Sequence, residues 1–239
     1  MTALCTRSQN QLLTCLPEAE WDRLMPHMSQ VELHAGASLH ASGSPIRDVY
    51  FPLNGMVMLH GVVENGSSSV LSLVGNEGFV GVSSFMGGQS STSHATVFTS
   101  GRFIRIKSAE FLIEFEQSVP LTHLLLRYTQ ALITQMAQTS VCNRHHTVEN
   151  AFSRILLLCL DRTAGDELVI THEHIANLLG VRREGVSEAA MRLQRRGLIS
   201  YSRGHIHILD RNGLESSTCE CYGVIKTECD RLLPMQQAV

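Results

Sequence analysis

The chain has 239 residues, 44% of them hydrophobic and 17% charged, which is enough for two domains with real cores. A net charge of −3 argues against a protein that holds nucleic acid through bulk charge, and no apolar run approaches the roughly 18 residues of a membrane span. Seven scattered cysteines do not form a disulfide framework, and the first residues lack the apolar core of a secretion signal, so a cytoplasmic chain is expected.

Residues 16–28 read as a short helical lead-in, with Trp21 and Leu24 able to pack on a β-rich segment. From Pro17 to about Arg105 the chain is rich in glycine, serine and short β-prone runs. Val49-Tyr50-Phe51, Met56-Val57-Met58-Leu59, Val70-Leu71-Ser72-Leu73 and Thr96-Val97-Phe98 are strand candidates. The turn signals Asn54-Gly55, Asn65-Gly66, Gly75-Asn76 and Gly87-Gly88 separate them. Short strands at roughly ten-residue spacing predict a β-roll or jelly roll and not a parallel α/β sheet. A short helix over 108–115 comes next.

Pro120 then opens a long helix over 121–142; proline is tolerated in a first turn, where its missing N–H costs nothing. Leu121, Leu124, Leu125, Tyr128, Leu132, Met136 and Thr139 make an apolar stripe along it. Such a stripe serves either core packing or a dimer seam. The seam is the expectation here, with Leu121, Leu125, Tyr128, Leu132 and Met136 across it, because a long helix with one apolar stripe suits a symmetric dimer. A further helix over 148–161 leads onward.

Residues 170–208, ITHEHIANLLGVRREGVSEAAMRLQRRGLISYSRGHIHI, read as a helix-turn-helix with a β-hairpin wing, a unit that places one helix in the DNA major groove. Thr171 is a fitting N-cap. Ile175, Leu178 and Leu179 give the first helix its apolar face. Gly180 supplies the left-handed turn, and Val181 plugs the angle between the helices. The second helix, over about 183–195, buries Val186, Ala190 and Leu193 and turns Arg183, Glu184, Ser187 and Glu188 outward. Between Thr171 and Gly213 seven arginines face four acids, a locally basic stretch in an acidic protein.

In order and in motif the chain resembles the cyclic-AMP receptor protein and fumarate–nitrate regulator (CRP/FNR) superfamily. In the N-terminal part the resemblance rests on Gly36-x-x-Leu39-x-x-x-Gly43-x-Pro45, Val49-Tyr50-Phe51-Pro52-x-x-Gly55 and Gly75-x-Glu77-Gly78-x-Val80-Gly81. In the C-terminal part it rests on Leu179-Gly180-Val181-Arg182-Arg183-Glu184-x-Val186 and Gly197-Leu198-Ile199-x-Tyr201-x-Arg203-Gly204. The resemblance implies an α+β chain: a β-roll sensor domain (1–120), a dimerisation helix and hinge (121–146) and a winged helix-turn-helix domain (147–239). It implies a homodimeric transcription regulator acting on double-stranded DNA with an inverted-repeat operator, with RNA polymerase as a further partner. No enzyme activity, cofactor, metal or membrane contact is expected, and the small-molecule effector is not named. A constitutive DNA binder without a sensor ligand is the alternative, with a redox- or metal-responsive regulator as a further one. A catalytic barrel built on His60 with Glu64 or His94 has nothing at metal-site spacing behind it.

The family's reading helix carries an adjacent arginine and glutamate, matched by Arg183 and Glu184, and a second arginine four residues after the glutamate. Glu188 stands there instead. An arginine binds guanine bidentately, whereas a carboxylate accepts from cytosine or repels phosphate, so the operator is expected to differ at that position. Thr171 and Ser187 belong to the same DNA-facing set, and Arg182, Arg192 and Arg203 suit phosphate contact. In the sensor, Val82 stands near the family's ribose-binding glutamate and Thr92 or Ser93 near its phosphate-binding arginine, so tight cyclic-AMP binding is not expected. Gly81, Val82, Ser83, Ser91, Thr92, Ser93 and His94 remain effector candidates through hydroxyls, backbone amides and one imidazole, against the plainer reading of a polar surface loop.

Cys5 and Cys15, with Cys142 far downstream, fall short of the four well-spaced thiolates of an iron–sulfur cluster. Cys219-Glu220-Cys221 with Cys229 offers three soft ligands, but a Cys-x-Cys is a weak signal and packing is the favoured reading. Cys159 reads as a small core residue. His145-His146 falls where the long helix hands over to the next domain, as a hinge sensor, a haem ligand or, preferably, a solvated pair. His205 and His207 alternate on the wing strand and share a face.

Overall fold

The computed structural model describes residues 7–64, 68–163 and 165–233, so Cys5 and the Asn65-Gly66 turn signal lie outside it. Helices α1 (Gln11–Thr14) and α2 (Glu18–Leu24) lead into strands β1 (Ser29–Leu33), β2 (Ser38–His40), β3 (Asp48–Pro52), β4 (Met56–Val62), β5 (Ser68–Val74), β6 (His94–Thr99) and β7 (Gly101–Lys107). These strands form two antiparallel sheets, in the orders β1-β7-β3 and β2-β6-β4-β5. Inward side chains from both sheets share one core, in which the rings of Phe51, Phe79 and Phe111 meet at centroid separations of 4.9 to 6.1 Å. Asn10 ties the lead-in to this roll: its buried side-chain amide donates to the carbonyls of Pro52 and Gly78.

Helix α3 (Ser108–Gln117) closes the roll, and α4 (Val119–His145) runs across it. Ser118 caps α4 by accepting from the Leu121 amide at 3.3 Å, and Pro120 sits in the first turn. The stripe expected to form a dimer seam is instead core. Leu121, Leu125, Tyr128 and Leu132 are each at most 6% exposed within one chain, and Met136 is packed against the same apolar cluster. The roll needed a lid, and the most apolar face of α4 supplies it, a competing use that periodicity alone does not separate from a seam. The contact is close: Tyr128 donates its hydroxyl to the Phe79 carbonyl at 2.8 Å, and a Cβ at Gly78 would fall 2.7 Å from that hydroxyl. What α4 leaves outside is a second, sparser row, with Val119, Leu126 and Ile133 at seven-residue steps and each at least half exposed.

The C-terminal part contains α5 (Val148–Leu160), β8 (Glu167–Val169), α6 (His172–Leu179), α7 (Arg183–Arg195), β9 (Ile199–Ser202), β10 (His205–Ile208), α8 (Arg211–Ser217) and α9 (Glu220–Leu232). Helix α5 is buried nearly all round, as its run Ile155-Leu156-Leu157-Leu158-Cys159 requires, and Cys159 is a core residue as read. Strand β8 pairs with β10 and widens the wing to three strands, an element too short to read from sequence. The two parts are joined: Met56, Val70, Leu73 and Phe98 of the roll lie in the same apolar cluster as the core of the C-terminal helices.

Candidate nucleic-acid interface and sensor pocket

The turn between α6 and α7 is built as its residues dictate. Thr171 Oγ1 accepts from the His174 amide at 3.2 Å and starts α6. Gly180 takes φ 65°, ψ 32°, a left-handed conformation that lets the chain reverse without a Cβ clash. Val186, Ala189, Ala190 and Leu193 then bury one face of α7 against the domain core. The opposite face carries Arg183, Glu184 and Glu188, all exposed, with Arg182 at the N-cap.

Two residues on this surface are less free than their sequence position suggests. Ser187 bonds across the turn to His172 Nδ1 at 3.0 Å, and His172 stacks on Tyr201 with ring centroids 4.0 Å apart. Arg192 is held by Glu149 of α5 at 2.6 Å, a carboxylate that also takes Arg196 at 3.1 Å. Glu188 approaches Arg192 at 3.8 Å but stays largely in solvent. At the wing tip Arg203 and Gly204 both have positive φ, 49° and 88°, the pattern of a two-residue hairpin turn that matches strand twist. Arginine is costly there, by about 1–2 kcal/mol against a glycine, and the turn holds that side chain at the extremity of the wing. On the wing strand His205 and His207 share a face as read, both turned to Glu167 at 2.6 and 3.6 Å.

In the roll, a cavity of about 190 Å³ opens between the strands and α4. Gly81, Val82, Ser83, Ser91 and Ser93 line it, and His40, Thr129 and Ile133 complete a wall that the sequence reading missed because its members are far apart in the chain. Two expected residues are elsewhere. Thr92, in the bend before β6, is exposed and offers its carbonyl to Ser42, and His94, the first residue of β6, stacks on His60 at 5.2 Å; neither is on the wall that Ser93 joins. None of the lining residues is an arginine or lysine. Pockets for drug-sized ligands typically start near 300 Å³, so this one is small as well as uncharged.

Burial, followed by the nearby His94, depresses the His40 and His60 pKa values, and burial, followed by Arg183, depresses that of His172. The unfolded chain therefore takes protons near pH 6.5 while the folded chain resists them until lower pH. Stability is expected to fall as pH drops from about 7.5 to about 5.5, with a shallower fall in His40→Gln. Urea midpoints across that range check this, and a flat profile would show that the histidines titrate normally.

A roll lidded by a long helix and followed by a winged helix-turn-helix defines a DNA-binding transcription regulator with a sensor domain. The model described as the cyclic nucleotide-binding domain matches residues 30–118, and that of the Crp-like helix-turn-helix domain matches 152–217, together more than half of the chain. The chain belongs to the CRP/FNR family, a family of transcription regulators and not of enzymes. It is 25% identical over 217 residues to the global nitrogen regulator of Synechococcus elongatus, covering 85% of this chain and 95% of that one. Its fold is similar to FixK2 from Bradyrhizobium japonicum, with TM-score 0.71 and 15% identity over 80% of this chain and 98% of that one. It is also similar to the c-di-GMP responsive global regulator CLP of Xanthomonas campestris, with TM-score 0.63 and 17% identity over 80% and 99%. Among the described residues no helix is long and apolar enough to cross a membrane.

Proposed function

We propose that the protein works as a homodimer in the cytoplasm, each subunit laying α7 in the major groove of one half of an inverted-repeat operator, with RNA polymerase as the protein partner downstream. The observation that carries this reading is the exposed Arg183-Glu184-Glu188 face on a helix whose other side is locked into the domain core. Arg183 reads a guanine, Glu184 and Glu188 select bases that offer an amino donor, and Arg182 and Arg203 take phosphates. Arg192, tied to Glu149, contributes to the orientation of α7 on α5 as much as to DNA contact.

Dimerisation then uses the outer row of α4. Val119, Leu126 and Ile133 alternate with His123, Gln130 and Ala137 at four- and three-residue steps, the spacing of a short two-stranded seam with small or polar residues at one of its two positions. The pocket, small and without a fixed cation, favours an uncharged small effector over a cyclic phosphate. An effector acts on DNA affinity only by binding one arrangement of α4 better than another. A constitutive regulator is the second reading, favoured by the same small volume.

The test separates base reading from phosphate contact. Binding sites are first selected from random duplexes with the purified protein. Arg183→Ala is expected to lose about 1–3 kcal/mol of discrimination per half-site at one operator position. Arg203→Asn is expected to keep sequence preference and lower the salt slope by about one per subunit. Unchanged preference in Arg183→Ala would remove α7 as the reading helix.

A further inference from the structure

The last turn of α4 and the first turn of α9 bring four metal-ligating side chains together from positions far apart in the sequence. Cys142 and His146 are four residues apart, locked by the hydrogen bond from the His146 amide to the Cys142 carbonyl at 3.1 Å, so they share one helix face. Cys219 is the N-cap of α9 and Cys221 follows two residues later. Cys142 Sγ lies 3.5 Å from Cys219 Sγ, Cys221 Sγ lies 3.6 Å from His146 Nδ1, and all four ligand atoms fall within 4.8 Å of one another. Zinc with sulfur ligands at about 2.3 Å and nitrogen at about 2.0–2.1 Å needs edges of about 3.8 Å between sulfurs and about 3.6 Å from sulfur to nitrogen. The Cys142–Cys219 and Cys221–His146 edges already stand close to those separations, and the remaining edges are no longer than 4.8 Å.

We propose that Cys142, His146, Cys219 and Cys221 form a structural Zn²⁺ site of the Cys3His type, which fastens the end of the long helix to the C-terminal helix of the DNA-binding domain. The surroundings supply what such a site requires beyond its ligands. Glu220 places a carboxylate 3.4 Å from His146 Nε2, the outer-ring partner that orients a ligating imidazole whose other nitrogen faces the metal. On binding, three thiols release their protons, and Zn²⁺ with three thiolates carries one net negative charge. Arg154 lies beside Cys142, is 1% exposed, donates through Nη1 to Thr139, and has no hydrogen-bond partner at Nε or Nη2 among the described residues. A buried guanidinium without an anion is costly, and a monoanionic cluster next to it cancels that charge. Plain packing explains buried thiols, but not a histidine among three of them, a carboxylate behind it and a cation in front. Cys229, the third thiolate that the sequence suggested for this group, lies apart, on a cavity wall with Glu77 and Arg162.

The experiment uses the full chain, reduced and stripped with a chelator. Zn²⁺ is titrated against a chromophoric competitor, and Co²⁺ is added separately for its spectrum. One zinc per chain is expected, with the intense d–d bands of tetrahedral Co²⁺ and a thiolate-to-cobalt charge-transfer band. Glu220→Gln, at an exposed side chain that leaves the fold alone, is expected to weaken zinc by about 10-fold or more, as outer-ring partners do. Cys219→Ala and His146→Ala should lose more, and Cys229→Ser nothing. The proposal is overturned by an octahedral cobalt spectrum or by zinc affinity that Cys219→Ala leaves unchanged. It is equally overturned if the reduced chain takes up no zinc and air merely oxidises Cys142 and Cys219 to a disulfide.

Discussion

Leu125→Asp is expected to unfold the chain and not merely to split a dimer. Leu125 is fully buried, in a cluster that draws on both sheets of the roll, α3 and α4. Removing its side chain alone costs about 2–5 kcal/mol, and forcing a carboxylate into the same place adds the cost of a buried, unpaired charge. The sum is comparable to the whole stability of a typical domain, about 5–15 kcal/mol. Leu126→Asp, one residue on and half exposed, is expected to change stability by roughly 0.5 kcal/mol or less while shifting the monomer–dimer equilibrium toward monomer. Circular dichroism melts and sedimentation of the two variants check the contrast. A well-folded monomeric Leu125→Asp would return the seam to the inner stripe and refute the packing of α4 on the roll.

The adjacency of these two residues explains what was legible in the sequence. Elements came through wherever local chemistry decides them: Pro120 and the stripe for α4, and Thr171 and Gly180 for α6 and its turn. The exposed face of α7 came through for the same reason, since an amphipathic helix states its own buried side. The partner of a buried face is not local information: the α4 stripe suits a second subunit as well as a roll by sequence alone, and the fold gives it the roll. The pocket suffered similarly. Its serines sit in one segment and were found, whereas His40, Thr129 and Ile133 arrive from other elements. The bend at Thr92-Ser93 and the start of β6 at His94 leave Ser93 on the cavity wall and its two neighbours off it, which adjacency in sequence does not separate. The thiols make the sharpest case: Cys142 and Cys219 are 77 residues apart, and only the packing of α4 beside α9 makes them a pair.

Glu77→Gln is expected to destabilise the full chain by about 3–5 kcal/mol and to loosen the DNA-binding domain from the sensor. Arg162, just past the end of α5, reaches back to the roll with its guanidinium almost wholly buried. Its Nε donates to Glu77 at 2.7 Å, its Nη1 to the Leu158 carbonyl at 2.7 Å and its Nη2 to Gln135 of α4 at 3.3 Å. Glu77 is fixed in turn by the Gly75 amide, and Gln135 donates to the Leu73 carbonyl at the end of β5. One guanidinium thus holds together the roll, the long helix and the C-terminal domain. Neutralising Glu77 leaves that cation buried without its counter-ion, which is worse than removing both charges together. The double variant Glu77→Leu with Arg162→Met should therefore recover most of the loss, because well-packed apolar replacements of buried pairs are often neutral. Calorimetry of the wild type, of Glu77→Leu and Arg162→Met singly and of the double variant provides the cycle. In the Glu77 variants the melting transition is expected to separate into two, as the roll and the winged domain stop unfolding as one unit. A loss below about 1 kcal/mol, the range of an exposed ion pair, would show that Arg162 is not what joins them.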